Sequence, residues 1–307
     1  MTAANSPLTT RQNDDEHLTR LLAYSHEYRQ AQRWHTVRMV VTIGLALASP
    51  PIVIIAPSVG DYIAAVAALW LVLGRTMFSA AEEAHKARAA SIQELYDTRL
   101  FNLPWNPALA GRTPAPEDVA AAADRHRKKA AEYKDWYTVD VSGLPWPADV
   151  LLCQRQSAVW SRRDHRAYSI TLATVAMAWL VLGMAIGVIR DMTLADWLVK
   201  LFLPSAPAYL DAAELALAHW RHAKARAEFE EDISDLWSGR RAHPEVPTGA
   251  DCRRVQDRAY SLRRHGPRVP TWFYKLRKPT MARSTVAGAK ALIEDSRNEP
   301  SSGRPPG

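Results

Sequence analysis

The chain alternates between long apolar runs and charge-rich stretches, and it does so twice. Residues 39–56, MVVTIGLALASPPIVIIA, carry no charge over about the length needed to cross a bilayer core. Ser49-Pro50-Pro51 would break a helix in water, but a membrane helix tolerates a kink where neighbours satisfy the freed carbonyls. After the turn PSVGD comes a second run, residues 62–78, with Arg75 near its end and able to snorkel. Residues 168–189, YSITLATVAMAWLVLGMAIGVI, form the clearest span, because a charge-free run of that length is rare in soluble proteins. Residues 192–210 form the weakest, interrupted by Asp196, Lys200, Pro204 and Pro207. Asp196 and Lys200 are four apart, so on a helix they share a face and make a candidate intramembrane polar pair, lining a pore or an interface. Alternatively, both lie at the interfacial edge and snorkel.

Polar stretches complete the pattern. Each apolar pair leads into a charged helix, SAAEEAHKARAASIQELYDTRLF after the first and ELALAHWRHAKARAEFEEDISDLW after the second, and both contain Lys-Ala-Arg-Ala. These helices are expected to continue the spans and to pack together, with the echo between halves suggesting a repeat. Pro116 fits a first helical turn, with Glu117 and Asp118 at its positive end, and a helix is expected through EDVAAAADRHRKKAAEYKDWY. Pro147 opens a further helix that runs into the third span. Basic residues flank the spans on one side only: Arg29, Arg33 and Arg38 before the first, Arg75, Lys86 and Arg88 after the second, Arg162, Arg163 and Arg166 before the third, Arg221, Lys224 and Arg226 after the fourth. The hairpin tips carry little charge. This asymmetry places both termini and the central region in the cytoplasm.

The fold class predicted is therefore an all-α membrane protein with four transmembrane helices in two hairpins and cytoplasmic helical extensions. The layout runs from an N-terminal segment (1–38) through a first hairpin (39–78), a helical region (79–167), a second hairpin (168–210) and an amphipathic helix (211–240) to a basic C-terminal region (241–307) with a disordered end. The opening MTAANSPLTTRQNDDEH lacks a basic stretch before an apolar core, so no cleaved signal peptide is expected.

Composition adjusts this picture. Over 307 residues, 48% hydrophobic and 23% charged content with a mean hydropathy of −0.24 fits apolar and charged residues kept in separate segments. The net charge of +7 points to anionic partners such as phospholipid, nucleotide or nucleic acid, or to solvated basic faces. Past Trp237, arginines and lysines interleave with Tyr260, Trp272, Phe273 and Tyr274, which suits an anionic lipid surface, a nucleotide or nucleic-acid contact, or a solvated face with a tail. Two cysteines, Cys153 and Cys252, exclude a disulfide framework and a cysteine zinc cluster. Phosphate-cradling glycine loops, HExxH and GxSxG are absent. Glu82-x-x-His85 has di-iron spacing but lacks its second copy, and Cys153 has no nearby histidine base, so it reads as packed. No enzyme and no cofactor are predicted.

Two related stretches remain, YDTRLFNLPWN at residues 96–106 and SGLPWPADVLLCQRQ from Ser142. Each carries Leu-Pro-Trp: Leu103, Pro104 and Trp105, followed by Asn106, and Leu144, Pro145 and Trp146. Proline ends a helix and tryptophan packs the returning chain, so both read as elbows that either brace the bundle or sense a signal. The order hairpin, motif, motif, hairpin resembles the bacterial SMODS-associated four-transmembrane effector family (S-4TM). The resemblance is carried by SIQELYDTRLFNLPWN, with Asp97, and by DWYTVDVSGLPWPADVLLCQRQSAVWSRRDHRAYS, with Cys153, Gln154, Arg155 and Trp160, and it covers most of residues 20–240. The family pattern has Asn after Cys-Gln-Arg-x and Asp after the tryptophan; here Ser157 and Ser161 stand there, which removes those polar roles without touching the fold. The resemblance implies a bacterial inner-membrane effector of an anti-phage conflict system, linked to nucleotidyltransferases that make cyclic or oligonucleotide second messengers. Its implied action is to perforate or perturb the membrane, without enzymatic activity. Its partners would be the lipid bilayer, further copies of itself and the messenger. The alternative is a membrane scaffold recruiting a cytoplasmic partner through its basic C-terminal region; a small-solute transporter is a weaker third.

Overall fold

The computed structural model describes residues 7–239 and 247–298, and among them every regular element is helical. A short helix α1 (Leu8–Arg11) precedes α2 (Asp15–Ile55), whose acidic first turn, Asp15 and Glu16, suits the positive end of a helix. At 41 residues α2 is about 60 Å long, twice a bilayer core. Its two halves differ. Leu18, Leu21, Leu22 and Tyr28 recur at helical spacing and are buried, whereas beyond Ala31 the large apolar residues face outward, Val40 at 63% exposure. The helix passes through Pro50 and Pro51 unbroken and ends at Ile55. A turn at Pro57–Val59 reverses the chain into α3 (Gly60–Leu73), a π-helical turn (Gly74–Phe78) and α4 (Ser79–Phe101). Trp70 Nε1 donates to Thr42 Oγ1 at 3.1 Å and closes this hairpin.

The segment expected as one helix from Glu117 is shorter. After the small α5 (Pro107–Ala110), α6 (Pro116–Asp124) ends where His126 N–H turns back to Ala123 O, and a 3-10 stretch (Arg127–Tyr133) follows. Contacts with α2 accompany this: Arg29 meets the His126 ring, and the Trp136 ring lies edge-on to Tyr24 at 6.2 Å. An irregular stretch with turns, Asp135 at φ 54° and Gly143 at φ 84°, then leads to α7 (Ala148–Ile189), 42 residues long, buried along its first half and exposed and apolar along its second, Val175 at 62%. Asp191 takes a left-handed φ of 50° at the tip, α8 (Leu194–Trp197) and a second π-helical turn (Leu198–Phe202) follow, and α9 (Leu203–Gly239) runs back alongside α7. Trp197 Nε1 donates to Gly183 O at 2.8 Å, its ring against Gly187, and Ser169 Oγ donates to Ala216 O at 2.7 Å.

Two helical stretches, Ala65–Phe101 and Ala148–Ile189, are long and apolar enough to cross a membrane. Residues 39–55 and 194–210 are helical too, with outward apolar side chains such as Ile43 and Leu210. The charged extensions pack chiefly on their own hairpins, α4 on α2 and α9 on α7, rather than on each other; the halves meet through α2 and α9 and through Arg75, 3.5 Å from Asp211. The basic C-terminal region is more than a solvated face with a tail. It forms α10 (Gly249–His265) and α11 (Thr271–Asn298), and Cys252, Val255, Gln256 and Ala259 of α10 are buried in the core beside Tyr96, Phe101, Leu151 and Ile233. Of the expected disordered end, Glu294–Asn298 is helix; residues 299–307 lie outside the described ones.

Candidate functional site

The two elbows converge. Helix α4 does not stop at Pro104: Asn102 takes a left-handed φ of 54° and Leu103 N–H bonds back to Thr98 O at 2.9 Å, with Leu103 buried, so the reversal precedes the proline. The helix-end carbonyls left over find distant donors. Leu100 O accepts from Arg11 at 2.6 Å, and Phe101 O accepts from Trp146 Nε1 at 3.1 Å. The second elbow's tryptophan thus caps the first elbow's helix. Trp105 acts locally, its Nε1 donating to Gly111 O at 2.8 Å. Leu144 packs against the core and Pro145 O accepts from Ala148 N–H at 2.9 Å, starting α7.

Both elbows also dock on α10. Pro104 O accepts from Arg253 at 2.7 Å, and Asn106 Nδ2 donates to the Asp257 carboxylate at 3.1 and 3.2 Å. The Trp146 ring lies so close to Gly249 that a Cβ there would come within 2.6 Å of it, and Cys252 Sγ meets Pro147 O at 3.5 Å. Helix α10 itself opens on a reciprocal cap: Asp251 N–H donates to Thr248 Oγ1 at 3.1 Å while Thr248 N–H donates to Asp251 Oδ2 at 2.8 Å.

Beneath the elbows lies a buried polar network. Asp97 accepts from Tyr137 OH at 3.0 Å, Gln256 at 3.1 Å and Arg263 at 2.6 Å; Glu94 accepts from Arg253 at 2.5 Å and Gln256 at 2.8 Å. Gln154 Nε2 donates to Cys252 O at 2.9 Å and Gln256 Oε1 at 3.2 Å. Burial opposes the Arg263 charge, yet Asp97 and Glu94 hold it firmly protonated, while burial raises the Glu94 carboxyl against the same arginines. Burial pushes the Cys153 thiol well up and Cys252 up to about 12, which leaves neither a nucleophile. Arg155 lies 3.6 Å from Glu230 of α9, which Arg162 also holds, and Trp160 packs on Tyr274 of α11.

Other candidates fall elsewhere. Asp196 caps α8 through Thr193, Asp196 N–H donating to Thr193 Oγ1 at 3.1 Å and Thr193 Oγ1 donating to Asp196 Oδ2 at 2.9 Å; the Lys200 side chain lies outside the described residues. Glu82 pairs with His35 at 3.3 Å and His85 with Glu27 at 2.7 Å, and among the described residues no group of acidic, histidine and cysteine side chains is placed to hold a metal. Sequence reasoning missed Glu94, Gln256 and Asp257, and it placed Arg253 and Arg263 on a basic face for anionic partners or solvent rather than on Glu94 and Asp97. The Thr248-x-x-Asp251 cap and the spacing Cys252, Val255, Gln256, Ala259 are the local signals that α10 is a helix with a buried face.

Asp164 joins α7 to α11 through Arg277 at 3.2 Å, and burial lifts its carboxyl to about 6 despite that arginine. The folded value lies above the unfolded one, so this group's stabilisation is full below pH ~4 and is lost as pH rises through ~6. Between pH ~7.5 and ~4, detergent-solubilised wild type should gain on the order of 3 kcal/mol relative to Asp164→Asn. Parallel unfolding profiles for the two would contradict it.

The fold and this junction define a class: an all-helical protein whose apolar hairpins grow out of a buried polar bundle. A family model of the SMODS-associating 4TM effector domain matches residues 6–292, and the chain belongs to that family. It is 26% identical over 276 residues, 87% of this chain and 92% of the relative, to a protein of Bacillus cereus (strain VD146) described as a probable CBASS effector molecule. No solved structure matches the chain.

Proposed function

We propose that this chain is a non-enzymatic membrane effector of an anti-phage system. Four spans cross the bacterial inner membrane with both termini and the polar bundle in the cytoplasm, and a cyclic or oligonucleotide messenger acting on the bundle rearranges the spans of a homo-oligomer so that the membrane loses integrity. The observation that carries this reading is continuity: α2, α7 and α9 run without a break from the bundle into the apolar belt, so a tilt of one end moves the other. The family and the relative's description support the anti-phage role. The groove between α7 and α9 sets alanines such as Ala173 and Ala213 beside Met177, Leu180, Phe202 and Trp220, an open apolar surface that a further helix in lipid could cover, which supports assembly.

Expression with the cognate nucleotidyltransferase should collapse the membrane potential, and the chain reconstituted in liposomes should release an entrapped dye when the messenger is added. An intact potential under activation would sink the membrane-disrupting reading. The scaffold reading draws on Trp272 and Leu276, exposed beside Lys275 on α11; a stable co-purifying partner without growth arrest would favour it.

A further inference from the structure

Helix α11 gives one face to the bundle and leaves the other uncovered. Phe273, Met281, Thr285 and Ala289 lie on one helical stripe and are buried, and Arg277 of the same stripe holds Asp164 of α7 at 3.2 Å. On the outward face Trp272 and Leu276, one turn apart, are 64% and 75% exposed. A single exposed apolar residue is ordinary, but a tryptophan and a leucine on adjacent turns form a patch. Lys275 and Lys278, both exposed, flank it. Lys275 has Glu132 at 3.6 Å, whereas among the described residues no acid pairs with Lys278. Along α11, Lys275, Arg277, Lys278, Arg283 and Lys290 all precede the first acid, Glu294. Cations without acids thus fill the first turns, at the end of the helix that favours negative charge nearby.

The position of this patch selects its partner. The Phe273 ring meets the Tyr168 ring edge-on at 5.1 Å, and Trp272 stands edge-on to Phe273 at 5.6 Å. Tyr168 is where α7 leaves the bundle, and Ile170, two residues on, is already 51% exposed at the start of the apolar belt. The contacts of α11 step from Tyr168 at Phe273 to Asp164 at Arg277, so the helix runs away from the belt and its first turn is the end nearest to it. Side chains on a helix lean toward its N-terminus, which carries Trp272 toward the belt as well. An aromatic and a leucine with lysines beside them, continuous with an apolar belt, match the composition of a membrane–water interface.

We propose that the first two turns of α11 dock on the cytoplasmic face of an anionic bilayer, with Trp272 and Leu276 entering the headgroup layer and Lys278 and Lys275 meeting lipid phosphates. The proposal rests on the reading above that the belt of α7 lies in a membrane, and it adds a second, lateral contact outside the spans. Because Arg277 and Phe273 tie α11 to α7, that contact would fix the height at which α7 enters the lipid.

The test uses the full chain in nanodiscs, with a nitroxide on Leu276→Cys; the two native cysteines are buried. Collisions with oxygen and with a water-soluble nickel chelate report the depth of the label, and Val181→Cys and Leu109→Cys serve as references for lipid and water. With phosphatidylglycerol present, the Leu276→Cys label should be shielded from nickel, between the two references, and in phosphatidylcholine alone the shielding should diminish. Lys278→Glu changes two charge units at a surface where each is worth about fivefold, so the ratio of inserted to exposed label should fall roughly thirtyfold. A label as open to nickel as Leu109→Cys, or one indifferent to both phosphatidylglycerol and Lys278→Glu, overturns the proposal. So does a label shielded only after cytosolic extract is added, which assigns the face to a protein partner. If Val181→Cys is lipid-exposed while Leu276→Cys is not, the membrane reading stands and this docking alone fails; if Val181→Cys itself meets water, the failure lies in the membrane reading.

Discussion

Asp97→Ala is expected to cost about 3–5 kcal/mol, enough to unfold the bundle or detach α10 from it, against a typical domain stability of about 5–15 kcal/mol. The carboxylate is 2% exposed and accepts from Tyr137, Gln256 and Arg263. Its removal leaves the Arg263 guanidinium buried with Glu94 as its remaining nearby anion, and Glu94 already serves Arg253 and Gln256. The penalty comes mainly from the stranded charge rather than from the lost attraction, and this makes the prediction specific. Asp97→Ala with Arg263→Met removes both charges and should recover a large part of the loss, whereas Asp97→Asn should fall between wild type and Asp97→Ala. Thermal midpoints in detergent, with limited proteolysis at the α9–α10 connection, read the effect. A double variant no more stable than Asp97→Ala alone would show that Asp97 acts through something other than Arg263.

The same contacts show why the sequence revealed some of this junction and hid the rest. Apolar runs free of charge, such as residues 168–189, have few alternatives to a long exposed apolar helix, so the hairpins were legible from local pattern. The elbows were legible as helix ends, but the reversal falls on Asn102 in the left-handed region, a choice made by side chain and φ before the proline is reached. Helix α10 illustrates the limit. Its density of arginines reads locally as a solvated basic face, yet Arg253 and Arg263 point inward to Glu94 and Asp97, which lie more than 150 residues earlier on α4. A buried ion pair of that sequence separation leaves no periodic mark on either helix. The bond from Trp146 to Phe101 O is hidden for the same reason: it joins two motifs whose likeness was visible and whose contact was not.

Val181→Arg should remove much of the chain from the membrane-integrated fraction while leaving the polar bundle folded. Val181 is 52% exposed on the apolar half of α7. On a water-facing surface an apolar-to-arginine change shifts stability by no more than about 0.5 kcal/mol. Facing hydrocarbon near the middle of a span it costs about 3 kcal/mol, on the order of a hundredfold in the insertion equilibrium, because the guanidinium must be carried into a medium with no partner for it. The contrast turns exposure into a measurement of the surrounding solvent. Leu109→Arg, at an exposed leucine on the short α5 of the bundle, serves as the control and should be silent. Alkaline extraction of membranes reads the difference: Val181→Arg should leave the pellet and Leu109→Arg should stay in it with wild type. If Val181→Arg is extracted no more readily than wild type, this face of α7 does not meet lipid, and the apolar belt must instead be covered by protein, as it would be between the helices of an oligomer.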